Sequence, residues 1–160
     1  MISLQLVVKI IRYQISLGNI SKFFQKKITK NIHGEKQIAL DIIANNSFKD
    51  ILQTHRNIAG IASEEEKKIV TFTKQEKYVD GSSNADINIP IGTIFSIYPR
   101  ISPLGTAIND QDFLQPGNQQ IMSGYVLYGS STTLVFTIKS GVHIFTYHPS
   151  YDMFILSQQN

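Results

Sequence analysis

Three groups of acidic residues hold most of the chemistry available to this sequence. Glu64, Glu65 and Glu66 follow Ser63 and the small apolar residues Gly60, Ile61 and Ala62. Asp80 precedes Gly81, Ser82, Ser83 and Asn84, and Asp41 lies in an apolar segment beside Leu40, Ile42 and Ile43. A glycine followed by two small hydroxyl residues lets successive backbone N–H groups point at one spot, as in a phosphate cradle. The adjacent Asp80 could ligate a hard cation such as Mg2+, which takes oxygen ligands and bridges to phosphate oxygens. The same residues also read as a plain turn, because Asp-Gly-Ser is common turn chemistry. Adjacent carboxylates repel, so the glutamate run implies either solvation or bound cations. With Lys67 and Lys68 next in the chain, it reads first as a solvated charge cluster. Asp41 is either on the polar face of a helix or a ligand held out from a rigid one, and helical spacing alone does not choose.

The elements that must position these groups fall into two halves. Leu4, Val8, Ile11 and Ile15 recur at helical spacing and form one apolar stripe. Gly18-Asn19 interrupts, and Asn19 is placed to cap a second helix through Phe23, Phe24 and Ile28. A third helix is predicted over residues 35–52, carrying Ile38, Ile42 and Ile43. After Asn57 the texture becomes β-branched and aromatic, predicting strands over residues 69–73, 87–98, 125–128, 132–138, 142–147 and 153–156. Gly81, Ser102-Pro103, Pro116-Gly117, Gly129, Ser140-Gly141 and His148-Pro149 separate the strands. Helices first and strands second predict an α+β layered domain, with amino-terminal helices packed on a mostly antiparallel or mixed sheet. The polar, Gln/Asn-rich connection over residues 103–121 is expected at the surface.

Composition narrows the function classes. The 160 residues suffice for one domain with a real core, and the chain is read as a single domain over residues 1–160. No cysteine is present, which excludes disulfides and a cysteine-ligated zinc site. The net charge of +3 is concentrated early: before Glu35 every charged residue is basic, namely Lys9, Arg12, Lys22, Lys26, Lys27 and Lys30. Without the aromatic and glycine pattern of an RNA-binding sheet, these lysines read as a solvated helix face and no nucleic-acid partner is expected. Lys9 and Arg12 break the apolar start, no stretch approaches the length of a spanning helix, and a soluble, cytoplasmic protein is expected.

Order and context add what spacing leaves open. The chain carries, in sequence, residues 31–37 (NIHGEKQ), Leu40-Asp41, residues 60–66 (GIASEEE) and residues 77–84 (KYVDGSSN). Residues 92–98 (GTIFSIY), 113–117 (FLQPG), 124–131 (GYVLYGSS) and 141–143 (GVH) follow. These ordered blocks resemble the class 1 fructose-1,6-bisphosphatases. The likeness covers most of the chain from Asn31 onward. The inositol monophosphatases share the acidic groups but not the blocks ending at Tyr98 or beginning at Gly124.

The resemblance implies the first half of the layered αβαβα sugar-phosphatase fold. It also implies removal of the 1-phosphate of fructose 1,6-bisphosphate by water, assisted by Mg2+ or Mn2+. Asp41, Glu64, Glu65 and Asp80 match metal-cluster positions, and Glu65 is also linked to activation of the attacking water. Asp80 with Gly81, Ser82 and Ser83 matches the loop that holds the phosphate. A homo-oligomer, as in the tetrameric family members, is implied as well. Lys77 and Tyr78 match AMP-contacting positions of some members, though such a pair is also an ordinary exposed strand edge.

Four departures from the family pattern set further expectations. Lys77-Tyr78-Val79 runs straight into Asp80, without the strand residues and the first Asp, Pro and Leu of the family's D-P-L-D-G-S-S stretch. Asn46 stands where the family usually has an acid that helps activate water, and an amide is no base. A carboxy-terminal half and the glycine-rich stretch before the Asn31 block are not in the sequence. The chain by itself is therefore expected to be inactive, a remnant that keeps partial metal and phosphate binding being the alternative. An uncovered apolar face is expected to drive association.

Overall fold

The structure, a computed structural model, describes residues 2–17, 29–30, 36–37, 39–55, 57–72, 78–84 and 91–160. Residues 29–30, 36–37, 39, 78–84 and 91 are described by backbone alone. The second helix expected through Phe23, Phe24 and Ile28 falls outside the described residues.

Helix α1, Ile2–Ser16, buries Leu4, Val7, Val8 and Ile11, one broad stripe of an amphipathic helix. The opposite side is not simply solvated. Lys9 pairs with Asp152 at 3.1 Å, and the Arg12 guanidinium lies 4.4 Å from the centre of the Tyr147 ring. Two of the early basic residues thus tie the helix to the far edge of the sheet.

Strands β1 (Thr29–Lys30) and β2 (Lys36–Gln37) form a small antiparallel pair. This shortens the helix expected from residue 35. Lys36 and Gln37 are engaged across the strand pair with Lys30 and Thr29, and α2 spans only Ala39–Leu52. Ala44, Phe48 and Leu52, four residues apart, form its buried stripe.

Eight further strands make one sheet: β3 (Ile58–Ser63), β4 (Val70–Thr71), β5 (Tyr78–Asn84), β6 (Ile91–Pro99), β7 (Met122–Tyr128), β8 (Thr132–Thr137), β9 (His143–His148) and β10 (Met153–Gln159). Their order is β10-β9-β8-β7-β6-β5-β3-β4. β3 and β5 run parallel and the other described pairs are antiparallel. The architecture is the α+β, helices-on-sheet arrangement that the sequence pattern predicts. β5 is an interior strand, paired with β3 on one side and β6 on the other, so Tyr78 does not open an exposed edge.

Both helices lie on one face of the sheet. Their stripes form a single core with Ile61, Phe95, Met122, Val126, Tyr128, Leu134, Phe136 and Phe154. Burying each large side chain contributes about 1.5–3 kcal/mol. Gly124 pairs with Phe95 on β6 and Phe136 on β8, and a Cβ there would lie 2.8 Å from that of Phe136. On the opposite face Ile94, Tyr125, Leu127 and Ile155 remain exposed.

The connection between β6 and β7 is mostly exposed, as expected, but it is pinned by a buried acid. Asp112 is fully buried. Its Oδ1 accepts hydrogen bonds from the N–H groups of Ile101 and Ser102 at 2.9 and 2.8 Å. Its Oδ2 accepts from the Ser102 hydroxyl and the Asn109 N–H at 2.8 and 2.9 Å. Burial pushes this carboxyl up, but the four donors outweigh it and hold it below the usual aspartate range. Arg100 reinforces the same loop, donating from Nη2 to the carbonyls of Pro103 and Thr106, each at 2.8 Å.

Candidate active site

The acidic turn follows β3 directly. Gly60, near the middle of β3, has no room for a side chain: a Cβ would lie 2.3 Å from both the Val70 carbonyl oxygen and Ile108 Cδ1. This close approach presses β3 against β4 and fixes where the chain leaves the sheet. Beyond Ser63 the chain turns, with the Glu66 N–H donating to the Ser63 carbonyl at 3.1 Å and the Glu65 N–H to Ser63 Oγ at 3.3 Å. Glu64, Glu65 and Glu66 are all half-buried in this turn.

The third glutamate does not belong to a solvated cluster. Glu66 Oε1 accepts a hydrogen bond from Asn45 Nδ2 at 2.7 Å and another from Lys49 Nζ, both on α2. Partial burial pushes the Glu66 carboxyl up, but these two hydrogen bonds and the Lys49 charge outweigh it and hold the group below the usual glutamate range. Asn45 is 5% exposed, and its Oδ1 is buried without a partner among the described residues. A carboxylate only accepts, so the Asn45 N–H2 must face Glu66 and the carbonyl oxygen must point away. Asp41 lies one helical turn before Asn45, in the first turn of α2, and is half-buried. A carboxylate there also favours the positive end of the helix dipole. Asn46 is exposed.

Asp80 is placed differently. The residues expected as a phosphate loop, Gly81, Ser82 and Ser83, lie within strand β5. Gly81 and Ser82 pair with Ala62 and Ser63 on one side and with Ser96 and Phe95 on the other, while Ser83 pairs with Ile94. Asp80 itself lies mid-strand between Ile61 and Ile97. Glu64 comes three residues beyond Ile61, so the backbone of Asp80 falls short of the acidic turn by about 10 Å along the strands. The physical reason is visible in the sequence. Among the described residues Tyr78 and Val79 precede Asp80 in β5, and a strand between β3 and β6 needs residues to meet both sets of backbone groups. The sheet recruits residues 80–84 to fill it.

The carboxylate oxygens of Asp41, Glu64 and Glu65 are donors that suit a hard divalent cation. They supply part of a site and not a closed one: among the described side chains, no three acidic or histidine groups come together closely enough to hold a metal ion. The structure joins α2 to the acidic turn and sets the backbone of Asp80 back from that turn along the strands. Sequence reasoning overlooked Asn45 and Lys49. The available signal was the succession Asp41, Asn45 and Lys49 at steps of four residues on one helix.

Helices on one side of an eight-stranded mixed sheet, with a carboxylate-bearing helix against an acidic turn, define the chain as an α+β domain with its acids gathered at one end of β3. The crystal structure of Leishmania major fructose-1,6-bisphosphatase in holo form superposes with a TM-score of 0.87 at 28% identity, covering 99% of this chain and 52% of that one. The chain belongs to the fructose-1,6-bisphosphatase family: the sequence model of the family's N-terminal domain matches residues 1–159. It is 58% identical to the class 1 fructose-1,6-bisphosphatase of Wigglesworthia glossinidia brevipalpis, over 99% of this chain and 51% of that protein. The chain thus spans about half the length of the relatives it matches. That match runs over 168 positions against 160 residues here, so at least eight positions of the relative have no counterpart.

Proposed function

We propose that this chain is the amino-terminal half of a fructose-1,6-bisphosphate 1-phosphatase, a phosphoric monoester hydrolase that yields fructose 6-phosphate and phosphate in gluconeogenesis. The observation that carries the reading is the 58% identity to a class 1 fructose-1,6-bisphosphatase over nearly the whole chain. In this reading Asp41, Glu64, Glu65 and Asp80 hold Mg2+ or Mn2+, and Glu65 also helps to activate water. Asp80, Gly81, Ser82 and Ser83 bind the phosphate of the sugar bisphosphate. The bound cation supplies a water of lowered pKa and neutralises charge on the transferring phosphoryl group. A cytoplasmic setting agrees with the lack of cysteine, and no described helix is long and apolar enough to cross a membrane. Homo-oligomer formation is supported by the uncovered apolar face of the sheet.

The 160-residue polypeptide by itself does not turn over. The offset of Asp80 supports this, since a misplacement of about 1 Å already costs on the order of 100-fold in rate. The replacement of an expected acid by Asn46 points the same way. The test is phosphate release from fructose 1,6-bisphosphate with Mg2+ or Mn2+, alone and with the separately purified carboxy-terminal half of the Wigglesworthia relative. No release by the chain alone is expected. Release that Glu64→Gln abolishes would refute inactivity. Failure of the chain to bind either cation, alone or with that half, would refute its role in the phosphatase site.

A further inference from the structure

The turn between β9 and β10 carries a carboxylate that reaches across to α1. Asp152 closes this turn with φ 47° and ψ 43°, the left-handed region that residues other than glycine seldom occupy. Its Oδ2 pairs with Lys9 Nζ at 3.1 Å, and its backbone carbonyl accepts from the same ammonium. Its Oδ1 accepts from the Tyr147 hydroxyl at 2.7 Å. Arg12 covers the Tyr147 ring, and that ring meets Phe154 edge-on with 5.5 Å between centres. Phe154 in turn belongs to the core beneath α1. We propose that Asp152 is an ionic latch: it fixes α1 to the β9–β10 hairpin, and its release frees the helix from the far edge of the sheet while α1 stays packed on α2. Two observations favour a latch over an incidental surface pair. A left-handed backbone at a residue with a side chain persists where the surroundings hold it, and here Lys9 and Tyr147 both grip the residue that adopts it. The contacts also form one chain, from Lys9 to Asp152 to Tyr147 to Arg12, so both basic residues of α1 end on a single hairpin. The apolar stripe of α1 supplies no such direction, because hydrophobic burial is non-directional. The Asp152 side chain is 72% exposed, which leaves the latch open to salt, whereas both partners of the Lys49–Glu66 pair are only 25% exposed.

Substitution at Asp152 separates the latch from the turn that carries it. Asp152→Gly removes the carboxylate and suits the left-handed backbone, so it opens the latch and leaves the turn in place. Asp152→Asn tolerates the same backbone and still accepts from Tyr147, but it offers no charge to Lys9. The experiment follows amide exchange in α1, with α2 as the internal reference, in the full 160-residue chain. It compares about 0.1 M with about 1 M KCl, between which the screening length falls from about 10 Å to about 3 Å. In the parent, α1 should exchange about two- to fivefold faster at the higher salt, the range that an exposed ion pair contributes. Asp152→Gly should be faster by that factor at both salts. Asp152→Asn should lie between the two at low salt and show no response to salt. Lys9→Gln combined with Asp152→Asn should be no faster than the faster single variant, as for two residues that act through one contact. Exchange in α2 should be alike in all of these proteins. Salt-independent exchange of α1 in the parent, or an Asp152→Gly variant that matches the parent at low salt, overturns the latch. Equal acceleration in α1 and α2 would mark a loss of stability of the whole chain and overturn it too. Acceleration confined to the β9–β10 amides would show a contact that serves the turn alone, with the same consequence.

Discussion

Ile94 and Phe95 are neighbours on β6, and their surroundings differ as much as the two faces of the sheet do. Phe95 is 2% exposed, packed into the core beneath α1 and α2, whereas Ile94 is 56% exposed on the other side. The contrast repeats along the sheet: Val126 against Tyr125 and Leu127 on β7, Phe154 against Ile155 on β10. A sheet meant to face water on one side alternates apolar with polar residues. These strands carry apolar residues on both faces, the pattern of a sheet written to be covered twice. The described chain covers it once. Stability must therefore come from one face, while the other is available for association.

The sharpest way to break this comparison is to truncate the neighbours separately. Phe95→Ala should cost about 3–5 kcal/mol, because it removes transfer energy and leaves a cavity under the helices. Ile94→Ala should cost less than about 1 kcal/mol, as expected for an exposed position. Urea unfolding of the two variants measures both. Equal losses would mean that the second face is covered after all, by another copy of the chain. Next in size is Asp112, which stabilises the end of the sheet through polar contacts only. Asp112→Ala leaves four donors without their acceptor and should cost about 3 kcal/mol. Acid should expose the same contribution. The folded pKa of Asp112 and of Glu66 is lowered relative to the unfolded chain. Their stabilisation is complete above the unfolded carboxyl range near pH 4 and is lost as pH falls through the lower folded values. Asp112→Ala should therefore flatten the decline in stability below about pH 4. Gly124→Ala should cost about 1–3 kcal/mol by overpacking, since a methyl group there meets the Val135 carbonyl oxygen at 2.2 Å.

What the sequence made legible follows the reach of its signals. Helical periodicity placed α1, and β-branched and aromatic runs bounded by turn residues placed the strands after residue 90, because each of these signals lies within its own segment. The start of α2 was misplaced because Lys36 and Gln37 are claimed by Thr29 and Lys30, a pairing that no local propensity records. β3 escaped because Gly60 and Ala62 are poor strand formers, admitted only where neighbouring backbones press close. The acidic groups were visible as types and order. Their grouping was not, since whether Glu66 is solvated or paired depends on a helix some twenty residues earlier. Asp80 shows the same limit from the other side. Its Asp-Gly-Ser-Ser run is present in sequence without the residues that precede it in the family, yet its place in β5 is seen only through pairing with β3 and β6.

The smallest stability effect should accompany the clearest change in behaviour. Tyr125→Ser and Leu127→Ser each remove apolar surface from the open face, where Tyr125 is 42% exposed. Neither residue belongs to the core, so each substitution should change unfolding stability by no more than about 0.5 kcal/mol. Their combination should shift sedimentation of the chain from associated species toward the monomer, because Ile94, Tyr125 and Leu127 lie close together across β6 and β7. A polar replacement at Tyr13, more exposed than either but on α1, is the control and should leave association unchanged. Were the Tyr13 variant to dissociate the chain and the double variant to leave it associated, the helices and not the bare sheet would be the adhesive face. The apolar pattern of the outer strands would then need another explanation.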